Sequence, residues 1–451
     1  MRETCYQCAR SFIAQYPLTN ASFEQAFHGG DTCHWREVAR KFGKEPIEIA
    51  VVGGSMTMCH FCGKCSWASR LQAKFDPKLV TVVNHAKNGH SYRHWIEVGE
   101  LLEIKSDIIL SDLVVNSGQY LWMGEDKAVK AIQSDLDEYL HIMRYVGPNR
   151  AVMMVQTFTA GSGNHLHYCQ RDCPTRPKQA FNYEMLYNHT HPYCACDIYW
   201  KMADVERPIL DHYHLPVSSY RDAVWPELNS PPPNLNCFWN GALHPDSNAH
   251  QLIADVVYDS ILRMIEAARQ DIIASPSEDV NCPQVAPFHP DMHFEHCIEF
   301  DFKSHMKFSH PESFQPISRP PLLWRWREDR AMKPGWIVEF ENATDFTSNE
   351  ISFAVEVGSH RQVDITFLRS YAQVGKVEVL FTPKGAETPL FRLEIQAQTS
   401  NTWASTPYTT KVLFSDHGHK DAPLGEYILT FSLLDDPNLY HKFKLMGLTS
   451  C

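Results

Sequence analysis

The chain is predicted to carry two domains of different class: a three-layer α/β/α domain with a parallel sheet, followed by an all-β sandwich. Three observations predict this. Short apolar runs alternate with helix-periodic stretches through the first half, which implies a parallel sheet covered on both faces. After Lys333 the pattern becomes short alternating strands separated by turn residues, which implies a sandwich. A length of 451 residues suits two or three domains.

In order along the chain, residues 1–45 read as a mostly helical extension holding Cys5, Cys8 and Cys33. Residues 46–272 form the α/β domain. Its strands are the apolar runs Ile47 to Val52, Leu79 to Val83, Ile108 to Val115 and Ala151 to Val155. Helical patterns lie between them, at Ser66 to Phe75, Ser91 to Ile104 and Lys127 to Tyr145. A long helix from Ser247 to Arg269 repeats Leu252, Ile253, Val256, Val257, Ile261 and Ile265 on one face. Residues 273–332 are Pro-rich and aperiodic, and are expected to be a linker or irregular connection. Residues 333–451 are the sandwich.

Composition narrows the function classes. The chain is 44% hydrophobic and 21% charged, with a net charge of −12, as for an ordinary soluble protein. An acidic surface argues against nucleic-acid binding, which needs Lys and Arg to neutralise phosphates. No apolar run approaches the ~18 residues of a membrane span. Met1 to Cys5 is followed by no apolar segment of a signal peptide. The 14 cysteines nonetheless suit a disulfide-bonded chain, so a secreted or luminal glycoprotein is expected, with its targeting segment absent from this sequence. The sequons at Asn20, Asn188 and Asn342 decide little.

The chemistry-bearing residues stand where strands end. Gly53-Gly54-Ser55 closes the first strand. Open parallel sheets bind ligands at that edge, and glycines allow a tight turn with close approach of a substrate. Asn84 to Ser91 follows the second strand and contains Gly89. Asn116-Ser117-Gly118 follows the third, and Gly241-Ala-Leu-His244-Pro245 precedes the long helix.

This order of Ser, Gly, Asn and His blocks resembles the SGNH (GDSL-like) hydrolase superfamily. It is closer still to a eukaryotic, algal-type branch with a C-terminal β-domain. That branch carries Gly-Gly-Ser-Met-Thr, here Gly53 to Thr57, and Cys65-Ser66-Trp67. It also carries Asp112 to Asn116, Lys333 to Trp336 and Leu368 to Tyr371. The resemblance implies a flavodoxin-like sheet and a serine esterase without cofactor or metal. It implies Ser55 as nucleophile, His244 as general base, and Gly89 N–H and the Asn116 amide as oxyanion donors. The substrate would be an O-acyl ester, such as an acetyl ester, of a carbohydrate or small molecule. The same fold also serves O-acyltransferases, and a non-catalytic structural or surface glycoprotein could retain it.

The sequence departs from the family pattern at Gly54 and Ser117, where Asp is common, and at Gly241, where the family places the carboxylate that orients the histidine. Asn240 or a backbone carbonyl would then orient His244. Two His/Cys clusters, His165 to Cys173 and His189 to Cys196, lack standard zinc spacing. Disulfides are expected there, and around Cys59, Cys62 and Cys65.

Overall fold

The computed structural model describes residues 18–59, 65–98, 100–117, 125–146, 150–157, 197–228, 239–240, 244–245, 247–276, 282, 285–289, 297, 303–307, 311–319, 323–328, 334–340, 349–370, 373–398, 405–436 and 439–451. Contacts divide the chain into two compact units, residues 1–93 with 101–292 and residues 94–100 with 293–451.

The first unit is built on a six-stranded sheet. Its strands are β1 (Phe27–His28), β2 (Ile47–Gly53), β3 (Val80–Asn84), β4 (Ile108–Asp112), β5 (Ala151–Gln156) and β6 (Val217–Ser219), in the order β1-β6-β5-β4-β2-β3. β2 to β6 run parallel. Their order reverses between β2 and β4, so the C-terminal ends of these two strands flank a topological switch point, where open α/β sheets bind ligands. β1 pairs antiparallel with β6 at the far edge.

Burial on both faces explains why these strands are almost continuously apolar. One face, from Ile47, Ile49, Val51, Ile108, Leu110, Met153 and Val155, packs in a single core with five helices. These are α1 (Asn20–Ala26), α2 (Trp35–Lys41), α4 (Trp67–Gln72), α8 (Tyr220–Leu228) and α9 (Ser247–Ala274). The remaining helices of this unit are α3 (Ser55–Met58), α5 (Tyr92–Val98), α6 (Glu125–Val146) and α7 (Asp197–His212). On the opposite face Ser111 meets Tyr139 of α6 at 2.9 Å, and Gln156 donates to the Ala203 carbonyl of α7. The three layers are thus helix, sheet and helix.

The N-terminal stretch differs from a simple helical extension. It contributes α1, α2 and the edge strand β1, and Trp35 and Val38 are core residues. Helix periodicity read there could not show that Phe27 and His28 pair with a strand some 190 residues later in the chain. A disulfide between Cys33 and Cys282 ties the start of this layer to residues beyond α9.

The second unit is a sandwich of antiparallel strands. One sheet runs β10 (Arg325–Glu328), β11 (Pro334–Glu339), β18 (Lys442–Ser450), β13 (Gln362–Arg369) and β16 (Thr406–Leu413), with β9 (Ser304–Lys307) also on β18. The other runs β12 (Glu350–Val357), β17 (Gly425–Leu433), β14 (Lys376–Pro383) and β15 (Phe391–Gln396). Alternate residues point inward, such as Ile351, Phe353, Val355 and Val357 against Tyr427, Leu429, Phe431 and Leu433. The stretch expected as a linker supplies β9 and β10, so part of it belongs to the sandwich. In the Lys333-Pro-Gly-Trp336 motif, a Cβ on Gly335 would lie 2.6 Å from the Leu445 carbonyl oxygen, and buried Trp336 donates to the Phe314 carbonyl. That motif therefore serves the core. Cys451 is bonded to Cys297 and pins the last strand.

Candidate active site

Ser55 opens α3 directly after β2, at the C-terminal edge of the sheet. The turn is tight on both glycines. A Cβ on Gly53 would lie 2.5 Å from Cβ of Thr57, and one on Gly54 would lie 2.6 Å from Cγ and 2.8 Å from Oδ1 of Asn116. The Asn116 amide is thus seated directly against Gly54, beside the serine turn. The helix is a single turn. Cys59 ends it in the left-handed conformation (φ 58°) and donates its N–H to the Ser55 carbonyl.

His244 lies in the two-stranded ladder of β7 (Trp239–Asn240) and β8 (His244–Pro245), opposite Asn240. Its Nε2 is 2.9 Å from Ser55 Oγ. This is hydrogen-bond distance for a base that takes a hydroxyl proton. Gly241 and the side chain of Asn240 lie outside the described residues.

The other two blocks reach the same place. His85 N–H donates to the Val51 carbonyl and Lys87 N–H to the Gly53 carbonyl, so the loop after β3 runs on along β2. Gly89 turns there with φ +74°, a conformation that favours glycine. Residues 114–117 form a turn of 3-10 helix after β4, held by Asn116 N–H and Ser117 N–H on the Leu113 carbonyl. Ser55, Gly89, Asn116 and His244 are all half-buried, whereas the residues beneath them, Gly54, Thr57 and Asp112, are buried.

No family model matches the chain, and no curated protein matches it. Among solved structures, a two-domain esterase active on acetylated mannans, co-crystallised with mannopentaose, covers 95% of this chain and 97% of its own, with TM-score 0.55 and 14% identity. A second structure of that esterase covers 95% and 98%, with TM-score 0.53 and 15% identity. The chain has the two-domain fold of that esterase. An acetylxylan esterase from Geobacillus stearothermophilus also matches, over 50% of this chain and 96% of its own, with TM-score 0.35 and 15% identity.

Beneath Ser55 and Asn116 lies a buried polar layer whose pairings leave no signal in the sequence. Asp112, the last residue of β4, accepts hydrogen bonds from Thr57 Oγ1 (2.7 Å), Trp67 Nε1 (3.3 Å) and Thr157 Oγ1 (2.6 Å). Burial pushes its carboxyl up to about 6, against the opposing pull of those donors. Trp67 N–H donates to Nδ1 of His250, a histidine that burial holds down to about 3. His250 is therefore neutral, with its proton on Nε2, and serves the packing of α9 on α4. The signal for Trp67 was its place in Cys65-Ser66-Trp67. Asp112 opens the motif Asp112 to Asn116, but nothing in the sequence shows that its carboxyl is buried.

Glu206 of α7 is wholly buried and accepts from Tyr92 Oη (2.7 Å) and Gln156 Nε2 (3.2 Å). Burial raises its carboxyl to about 8, with the nearby Asp112 charge acting in the same direction. A carboxyl whose folded value lies above its unfolded value of 4.5 stabilises the fold most fully at low pH. That stability is lost as pH rises from 4.5 toward 8, because the unfolded chain ionises first. Glu206→Gln is expected to remove this loss, since the Tyr92 hydroxyl can accept where the new amide donates. Urea unfolding should show the variant gaining on the wild type by on the order of a few kcal/mol between pH 5 and pH 8. A constant difference over that range would mean that Glu206 is ionised throughout.

Among the described residues no group of three or more metal-binding side chains occurs. The His165 to Cys173 and His189 to Cys196 clusters lie outside them. Cys59 and Cys65, on either side of the loop after α3, are both disulfide-bonded, and Cys62 lies outside the described residues. No described helix is long and apolar enough to cross a membrane.

Proposed function

We propose that this chain is a serine esterase that removes O-acyl groups, acetyl foremost, from a carbohydrate. The observation that carries the reading is the 2.9 Å contact between Ser55 Oγ and His244 Nε2 at the switch point of the sheet, with the Asn116 amide packed against the serine turn. The likeness of the whole chain to an esterase active on acetylated mannans supports the substrate class.

In this reading His244 Nε2 takes the Ser55 proton as Oγ attacks the ester carbonyl. The oxyanion that forms is met by the N–H groups of Ser55 and Gly89 and by the Asn116 amide. His244 then returns the proton to the departing sugar hydroxyl, and water releases acetate from Ser55 by the same steps in reverse order. An oxidising, secretory setting accords with this reading, since Cys33–Cys282 and Cys297–Cys451 are disulfides.

The test is acetate release from acetylated mannan oligosaccharides by the wild type and by Ser55→Ala. Release by the wild type alone is expected. Equal release by both would overturn the reading. Transfer of acetyl to an added unacetylated oligosaccharide, with little free acetate, would reassign the site to an acyltransferase.

A further inference from the structure

We infer that Asp112 is a positioning residue, whose buried carboxylate holds the nucleophile turn, the oxyanion turn and, through Trp67, the helix that follows His244 in one register. The inference rests on the esterase reading above.

Asp112 is wholly buried, and each of its oxygens is engaged. Oδ2 accepts from Thr57 Oγ1 and Trp67 Nε1, and Oδ1 accepts from Thr157 Oγ1. Each donor belongs to an element that matters to the site. Thr57 lies two residues after Ser55 on α3. Trp67 opens α4, and its backbone N–H is bonded to His250 of α9, six residues after His244. Thr157 follows β5. Asp112 itself lies four residues before Asn116, and between them Leu113 O holds the N–H groups of Asn116 and Ser117.

A neutral residue in this place would fill the space more cheaply, because burying a carboxylate is costly unless it is fully hydrogen-bonded. What the carboxylate adds is acceptors pointing several ways at once, which a single apolar side chain lacks. The oxyanion amide must meet charge that develops on an atom attached to Ser55. Misplacement of about 1 Å can cost about 10²-fold in rate. A link that bridges the Ser55 helix and the Asn116 strand therefore acts on turnover rather than on substrate affinity.

The test compares wild type, Ser55→Ala, Asp112→Ala, Asp112→Asn and Thr57→Val, using 4-nitrophenyl acetate and a fluorophosphonate probe. Circular dichroism reports folding. Asp112→Ala, if folded, should lose about 100-fold in kcat and in labelling rate, with KM within about threefold of wild type. Asp112→Asn keeps one carbonyl acceptor, which can serve Trp67, while a threonine hydroxyl turns to accept from its amide. It should recover part of the loss. Thr57→Val keeps shape and removes only the arm to α3, so it decides the matter if Asp112→Ala does not fold. It should lose about tenfold in kcat with KM unchanged. Wild-type rates in a folded Asp112→Ala or in Thr57→Val, or a loss confined to KM, would overturn the positioning role while leaving the esterase reading intact. A wild type no more reactive than Ser55→Ala would overturn both.

Discussion

His244→Gln is expected to lower kcat by about 10⁴-fold or more while leaving KM within a few-fold of wild type. The glutamine side chain can still reach toward Ser55, but it cannot take the hydroxyl proton and return it to the leaving group. Nε2 of His244 is 2.9 Å from Ser55 Oγ, and no other described side chain is hydrogen-bonded to that hydroxyl. Steady-state kinetics on 4-nitrophenyl acetate would check this. A loss of less than tenfold would mean that another group activates the serine.

Gly54→Ala is expected to cost about 10²–10³ in kcat, the usual penalty for removing one oxyanion donor. The added methyl would lie 2.6 Å from Cγ of Asn116 and touch its amide nitrogen more closely still. Gly54 is buried, with φ −103°, so the backbone itself suits an L-residue and the penalty arises from the collision. Either the amide swings away or the serine turn shifts. Gly54→Asp should behave no better, because it adds the same Cβ and a carboxylate beyond it. Wild-type turnover in Gly54→Ala would show that the Asn116 amide is not a donor in the reaction.

The legible part of the fold was the part with strong periodicity. The runs at Ile47, Ile108 and Ala151 are buried on both faces and read at once as parallel strands. The alternation after Lys333 read as a sandwich for the same reason. Long-range pairing escaped: Phe27–His28 on β6, and Ser304–Lys307 and Arg325–Glu328 in the sandwich, are short strands with no pattern of their own. At the site, the order of blocks was legible because three of them follow a strand end and the fourth precedes the long helix. The contact of the Asn116 amide with Gly54 is one that no pattern could show. The burial of the Asp112 and Glu206 carboxyls was not legible, because polar residues in a sequence are expected at the surface until their partners are known.

The most direct measurement is covalent labelling by a fluorophosphonate, followed by peptide mapping of the adduct. The probe reports a serine made nucleophilic by its surroundings, whatever the natural substrate. The account predicts one phosphonylated residue, Ser55, with labelling abolished in Ser55→Ala and slowed at least 10³-fold in His244→Gln. Failure of the native, disulfide-intact protein to label, or an adduct on another serine, would contradict it.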